Sequence, residues 1–370
     1  MTMTEKDAPQ RTALYGEHRS RGARMIPFGG FDMPVQYSSI LKEHDAVRRR
    51  AGLFDLSHMG QYILQGENVA SWAESLTVNA IESMKPLQAR YNLFTNEHGG
   101  VHDDVIFYRL EGRWLLVVNA GNATKMWEHL QKNLGSSGVK LTNLHGKNAL
   151  IAIQGPKSLE MLRDHASVDL AALKYYFCVE GSVFGKSAVI ARTGYTGEDG
   201  FELFVDGGDA AEVWRACLAA NESKGLEPAG LGARDVLRLE AGMPLYGHEI
   251  TEEITPIQAG LKWAVKFSKP AFRGKAALQV QAEGDDYRRI AGLIMAGRAP
   301  AREGYSVFLG SREVGEVRSG SMAPSVQNQN VATALVEKAA ATPGTALTVE
   351  IRGQKHEATV VPLPFYKRGA

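Results

Sequence analysis

The sequence predicts an α+β protein that closes on a small all-β domain. Three observations carry this reading. Helical and strand periodicities are interleaved from about residue 12 to 241. An antiparallel meander is legible between Leu93 and Asn119. Beyond Ser268-Lys269-Pro270 the chain changes to short strands at close spacing with glycine turns, the pattern of a barrel or sandwich. A length of 370 residues suggests two or three domains and buries a core without staples.

The elements follow in order. A helix is expected near Thr12 to Arg21, after a polar tail. A second runs from Ser39 to Arg50: Ser39 caps it, Ile40, His44 and Val47 line one side, and Gly52 stops it. The triplet Arg48-Arg49-Arg50 suits the negative end of the helix dipole and reads as a solvated face, with docking of an acidic partner as the rival. Leu93-Phe94-Thr95 enters a turn over Asn96 to Gly100, and His102 to Leu110 then alternates. After Glu111-Gly112, Trp114 to Val118 is a buried apolar run. Ala123, Met126, Trp127, Leu130 and Leu134 fall at helical spacing, and Gly135 ends that helix.

A strand from Ala149 to Ile153 precedes a helix with Pro156 in its first turn. Strands near Ser187 to Arg192 and Phe201 to Val205 come next, then helices near Ala210 to Asn221 and Ala233 to Ala241. In the β-rich end the expected strands are Ile290 to Met295, Ser306 to Leu309, Val331 to Val336, Leu347 to Ile351 and Ala358 to Val361. A hairpin connection is expected at Arg352 to Lys355.

Composition narrows the function. Lys plus Arg number 42 and Asp plus Glu 41, a net charge of +1, which argues against binding nucleic-acid phosphates in bulk. No apolar run approaches the roughly 20 residues of a membrane span. The tail from Met1 to Gln10 is polar, contains Glu5 and Asp7, and lacks the apolar core of a secretory signal. Two cysteines, Cys178 and Cys217, make neither a disulfide framework nor a four-cysteine zinc site, and both read as buried small hydrophobes, which fits a reducing compartment; a cytoplasmic location is expected, or the mitochondrial matrix for a mature eukaryotic form. There is no G-x-G-x-x-G after a strand, no Walker loop, no G-x-S-x-G elbow and no H-E-x-x-H. Neither a metal nor a nicotinamide is expected. A lone histidine such as His58 reads as a satisfied structural residue.

Three stretches remain that can carry chemistry. In Asp103-Asp104 the two carboxylates point to opposite faces of a strand, so at most one serves a given pocket. Alternation puts His102, Asp104, Ile106 and Tyr108 on one face. Asp104 and Tyr108 can line a cleft for a flat polar ligand; alternatively both Asp residues serve the turn after Gly99-Gly100. The second stretch runs from Arg192 to Glu202, a loop rich in glycine and threonine around Tyr195. Phe201, Leu203 and Val205 share a face, so Glu202 points the other way. An ionised carboxylate beside a tyrosine suits a heterocycle bearing N–H and amino groups; an ordinary decorated hairpin is the alternative. The third, Pro228 to Glu240, opens a helix on Gly230 and Gly232, a possible anion site where the Arg234 fork can meet a carboxylate. A structural pair of Arg234 with Asp235 is the alternative.

At these residues the chain resembles the T protein family of the glycine cleavage system, the tetrahydrofolate-dependent aminomethyltransferases. The resemblance spans about Thr12 to Tyr366. Besides the stretches above it rests on Phe54-Asp55-Leu56-Ser57-His58-Met59-Gly60, Gly99 through Asp104, Gln154-Gly155-Pro156 and Tyr246-Gly247. It implies a three-domain folate-binding fold of α+β parts around a central channel. The first domain is then discontinuous, residues 1–54 and 141–268; an α+β domain, 55–140, is inserted in it; and the barrel-like β domain is 269–370.

The resemblance also implies roles. Asp104 is the critical carboxylate near the reactive folate nitrogens, and Glu202 holds the pterin. Tyr195 and Arg234 match binding positions, and Met59, Tyr91 and Tyr108 match others along the channel. The implied reaction moves a one-carbon unit from the aminomethyl group on a dihydrolipoyl sulfur of the lipoylated H protein to tetrahydrofolate, releasing ammonia. Some positions depart from the family pattern: Phe31-Asp32 stands where Trp-Glu is usual, His102 where an apolar residue is usual, and Val317 to Gly320 with Ala323-Pro324 replaces a T-S-G and S-P pattern. The rivals are a folate-dependent demethylase of the same fold and a non-catalytic folate-binding factor for iron–sulfur proteins. The cysteine-bearing K-G-C-Y-x-G-Q-E signature of the latter does not occur here.

Overall fold

Two units divide the chain: one holds the chain up to Trp72 with Ile81–Tyr91 and Val105–Arg234, the other Ala73–Ala80, Asn92–Asp104 and the chain from Asp235. A computed structural model describes residues 8–369, so the tail from Met1 to Asp7 lies outside the described residues. No helix among the described residues is long and apolar enough to cross a membrane.

The first unit is built on a six-stranded sheet. Its order is Cys178–Val183, Lys186–Ala191, Gly200–Asp206, Asn148–Gln154, Ala51–Asp55 and Leu226–Pro228. All neighbours are antiparallel except the last pair, where Leu226–Pro228 runs parallel to Ala51–Asp55. One face of the sheet packs Leu53, Ile151, Ile153, Phe201, Leu203 and Val205 against Val213, Trp214 and Cys217 of the helix Ala210–Asn221. That helix therefore forms where its apolar spacing predicts. Both cysteines are free and buried, and burial pushes each thiol up to about 12.

The helix Ile40–Arg49 has Ser39 as its cap, whose hydroxyl accepts from the Lys42 amide at 3.3 Å. The expected glycine stop is corrected. Gly52 lies inside the strand Ala51–Asp55, and it is small because a Cβ there would sit 2.5 Å from a Val47 methyl. The arginine triplet is corrected as well. Only Arg49 is solvated, paired with Asp45 at 2.6 Å; Arg48 is buried on Glu198 at 2.8 Å, and Arg50 reaches Glu227 at 3.1 Å. The first helix is shorter than expected, Tyr15–Ser20.

The meander is present as Ala89–Thr95, Val101–Arg109 and Trp114–Val118, and Gly60–Gln65 with Lys140–Asn143 extend it to five strands. The turn before Val101 is held by Asn96, whose side-chain Oδ1 accepts from the His98 and Gly100 amides at 3.0 Å each. Gly100 is obligatory because a Cβ would fall 1.7 Å from the Glu252 carbonyl oxygen. The helix Ala123–Lys132 follows, with Met126 and Leu130 buried.

In the second unit six strands close a barrel in the order Arg289–Met295, Gln329–Val336, Arg312–Ala323, Ser306–Leu309, Ala346–Ile351 and Gln354–Val361. The last strand returns to pair with the first. Val307, Val317, Ala334, Val349 and Val360 fill its interior. The hairpin is tighter than the expected Arg352 to Lys355: Gln354 and Lys355 already belong to the last strand, and Arg352 and Gly353 alone turn, at φ +51° and +78°, the left-handed pair a two-residue connection requires. Arg312–Ala323, the longest strand, escaped the sequence reading. Its polar run and its register shift between Val317 and Ser319 mask the alternation. The helix Lys275–Glu283, before the first barrel strand, was also not expected.

Candidate active site

The strand Gly200–Asp206 splits its side chains by parity. Phe201, Leu203 and Val205 enter the core, which turns Glu202 and Phe204 to the opposite face. Glu202 is only 7% exposed. Its Oε2 accepts from the Tyr108 hydroxyl at 3.1 Å and from the Thr193 hydroxyl, and those two hydroxyl oxygens lie 3.4 Å apart. The Tyr108 ring meets Phe204 edge-on at 5.2 Å. Burial, and then the charge of Glu202, hold the Tyr108 phenol well above its ordinary range. Tyr108 therefore stays a donor at neutral pH. An ionised carboxylate offers about four acceptor positions, and these hydroxyls use two of them, on a single oxygen.

The loop 192–199 is fixed at both ends. Arg192 grips Asp199 through two bonds of 2.9 and 2.6 Å and donates to the Leu173 carbonyl at 2.8 Å. Arg48 donates to the Thr196 carbonyl at 2.6 Å and to Glu198 at 2.8 Å. Between these anchors the half-buried Tyr195 presents its ring to Arg234, whose guanidinium carbon stands 4.6 Å from the ring centroid. That is cation–π range. Asp235 pairs instead with Arg238 at 2.8 Å, so the alternative of an Arg234–Asp235 turn pair is not what forms.

The expected anion site at the start of Leu231–Glu240 is filled by the chain itself. The Gly230 amide donates to Glu43 Oε2 at 2.9 Å, while Glu43 Oε1 accepts from the Tyr37 and Ser38 amides at 2.6 and 2.9 Å. Burial raises the Glu43 carboxyl, and those amides oppose the rise.

Asp103 and Asp104 lie within the strand Val101–Arg109 rather than in the turn. Asp103 is wholly buried, and Asp104 is half-buried on the face that carries Tyr108. The structure thus joins Tyr108 to Glu202 and Tyr195 to Arg234. It places Asp104 on the Tyr108 strand, Met59 half-buried in the turn after Ala51–Asp55, and Tyr91 half-buried in Ala89–Thr95. His58 is buried but not satisfied, because its Nδ1 finds no hydrogen-bond partner among the described residues. Burial brings its imidazole down to about 4. Sequence reasoning named the stretches that contain Thr193 and Gln154 but gave neither residue a role. The signal for Thr193 was its position on the boundary of the loop, directly before Gly194.

Comparisons with known proteins agree along the whole chain. Residues 14–269 match the family described as GCVT N-terminal domain, and residues 288–367 match the glycine cleavage T-protein C-terminal barrel domain. The aminomethyltransferase of Moorella thermoacetica is 46% identical over 97% of this chain and 98% of its own length. That of Deinococcus deserti is 46% identical over 99% of both. A crystal structure of the glycine cleavage system aminomethyltransferase T from Bartonella henselae superposes with a TM-score of 0.90 at 36% identity, covering 98% of this chain and 99% of that one. On sequence, fold and barrel alike, this chain belongs to the glycine cleavage T-protein family of aminomethyltransferases.

Proposed function

We propose that the enzyme transfers the one-carbon unit of an aminomethyl group, carried on a dihydrolipoyl sulfur of the H protein, to tetrahydrofolate. The products are methylene-tetrahydrofolate, ammonia and the free dithiol. The observation that carries this reading is the buried Glu202 carboxylate, held by Tyr108 and Thr193, with acceptor capacity beyond those two bonds. That acceptor fits a pterin, a flat ring edged with N–H and amino donors. Tyr195 with Arg234 offers an aromatic face and a fork for a carbonyl or carboxylate. Met59 and Tyr91 are proposed as further walls of the same site.

When bound, tetrahydrofolate supplies the nitrogens that take up the carbon. Within the chain, Asp104 is proposed as the catalytic carboxylate that orients those nitrogens and accepts or stabilises charge there. Glu202, Tyr108 and Tyr195 fix the ring, and positioning of this kind can lower a barrier by up to roughly 7–11 kcal/mol. We assign the reaction to the cytoplasm, with neither nucleic acid nor membrane as partner, in keeping with the balanced charge of +1. The partition into 1–54 with 141–268, 55–140 and 269–370 belongs to the same proposal.

The test is ammonia release from aminomethylated H protein, with and without tetrahydrofolate. Rapid release that requires tetrahydrofolate is expected. Tetrahydrofolate binding without release would overturn the transfer reading in favour of another folate-dependent reaction or a binding role.

A further inference from the structure

Gln154 ends the central strand Asn148–Gln154 with its side chain inside the protein, only 2% exposed. Its Nε2 donates to the Thr193 carbonyl at 3.0 Å, and its Oε1 accepts from the Thr196 hydroxyl at 3.0 Å. Those two partners flank Gly194 and Tyr195, so one amide closes the turn that presents the tyrosine. The surroundings are cleared for it. A Cβ on Gly194 would fall 1.9 Å from Gln154 Oε1, and a Cβ on Gly200 would fall 2.3 Å from Nε2. Gly200 is also the residue paired with Gln154 across the strands. Gly194 in the loop and Gly200 at the start of the next strand thus both make room for this side chain, and at Gly200 the Ile153 carbonyl oxygen, 2.7 Å from such a Cβ, adds to the constraint.

We infer that Gln154 is a positioning residue for the reaction, acting through the loop to set where Tyr195 stands. It touches neither end of the proposed chemistry. It fixes the Thr193 backbone, and the Thr193 hydroxyl in turn bonds Glu202. The same amide therefore sets the tyrosine and one of the two donors on the carboxylate. This inference rests on the reading of Glu202 and Tyr195 as folate contacts.

The experiment measures tetrahydrofolate binding and melting temperature in the full chain. Gln154→Met keeps the volume and removes both polar atoms. Thr196→Val is nearly isosteric and removes one donor, and Thr196→Ser retains it. Gln154→Met and Thr196→Val are expected to weaken tetrahydrofolate binding about tenfold, the size of one or two lost hydrogen bonds. Thr196→Ser should bind like the parent protein. In a Tyr195→Ala background Gln154→Met should cost clearly less than it does alone, keeping only the part that acts through Thr193 on Glu202.

Full additivity of Gln154→Met with Tyr195→Ala would overturn the positioning role, as would parent-like binding by both Gln154→Met and Thr196→Val while Tyr195→Ala and Glu202→Gln bind weakly. Parent-like binding by Tyr195→Ala and Glu202→Gln would instead sink the folate-site reading itself. Should Gln154→Met fail to fold, the contrast between Thr196→Val and Thr196→Ser decides alone.

Discussion

Glu202→Gln keeps the shape of the side chain and removes its charge, so it isolates what the ion contributes. Tyr108 and Thr193 can still donate to the amide oxygen, and the fold should survive. A ligand that donates N–H groups loses a charge-assisted bond, which is worth about 1.5–3 kcal/mol. Tetrahydrofolate titrations should therefore show binding about ten- to a hundredfold weaker at an unchanged melting temperature. The two aspartates should separate by readout. Asp104→Asn is expected to abolish nearly all transfer in a folded protein. Asp103→Asn should matter less for chemistry and should register in thermal unfolding, because Asp103 is wholly buried on the other face. Equal loss of turnover in both, at equal stability, would refute the parity argument. At this scale the sequence was informative wherever alternation decides direction, as for Asp104 and Glu202. It marked Gln154 only as part of a family stretch and gave it no role, because its importance depends on a loop 39 residues away in the chain.

Single elements show a second boundary of legibility. Helix caps, apolar spacing and turn residues act within a few positions, which is why Ser39, the stripe of Ala210–Asn221 and the hairpin at 352–353 were readable. The arginine triplet was not, because its partners lie elsewhere: Glu198 for Arg48 is 150 residues on, and Glu227 for Arg50 is 177 residues on. A sharp contrast within one helix end follows. Arg48→Met leaves Glu198 buried without its guanidinium and should cost about 3 kcal/mol in denaturant unfolding. Arg49→Ala removes an exposed i,i+4 pair and should fall within about 0.5 kcal/mol of the parent. Comparable losses from the two would mean that burial does not govern this segment. Beyond such pairs, the barrel strand Arg312–Ala323 was hidden by its own irregularity, and only the neighbouring strands define it.

Across the whole molecule, acid should act in two pH ranges through different groups. In the first unit His58 is buried with its imidazole held near 4, below the ordinary 6.5. The unfolded chain then takes up a proton that the folded state refuses. Stability is complete above about 6.5 and is lost as the pH falls towards 4. In the second unit burial alone would raise the Glu249 carboxyl, but Arg238 at 2.9 Å and the Thr333 hydroxyl together bring it below its usual range. Its contribution is complete above about 4.5, the ordinary carboxylate value, and is lost only below that, as the carboxylate of the folded state is protonated. Unfolding followed against pH should therefore weaken in two windows: the upper belongs to His58 and to His145, whose imidazole burial also holds below its ordinary value, and the lower to Glu249 and Asp55, two carboxyls held below their ordinary range. His58→Gln should shrink the upper window, leaving the share of His145, and leave the lower. Arg238→Met should do the reverse of protecting the lower one: it strands a buried carboxylate, lowers stability by about 3 kcal/mol at neutral pH, and raises the pH at which Glu249 takes its proton. Arg238→Met together with Glu249→Leu should recover part of that loss, because no charge is then left buried. If the pH profiles of His58→Gln and the parent coincide from 6.5 to 4.5, the upper window does not arise from this histidine.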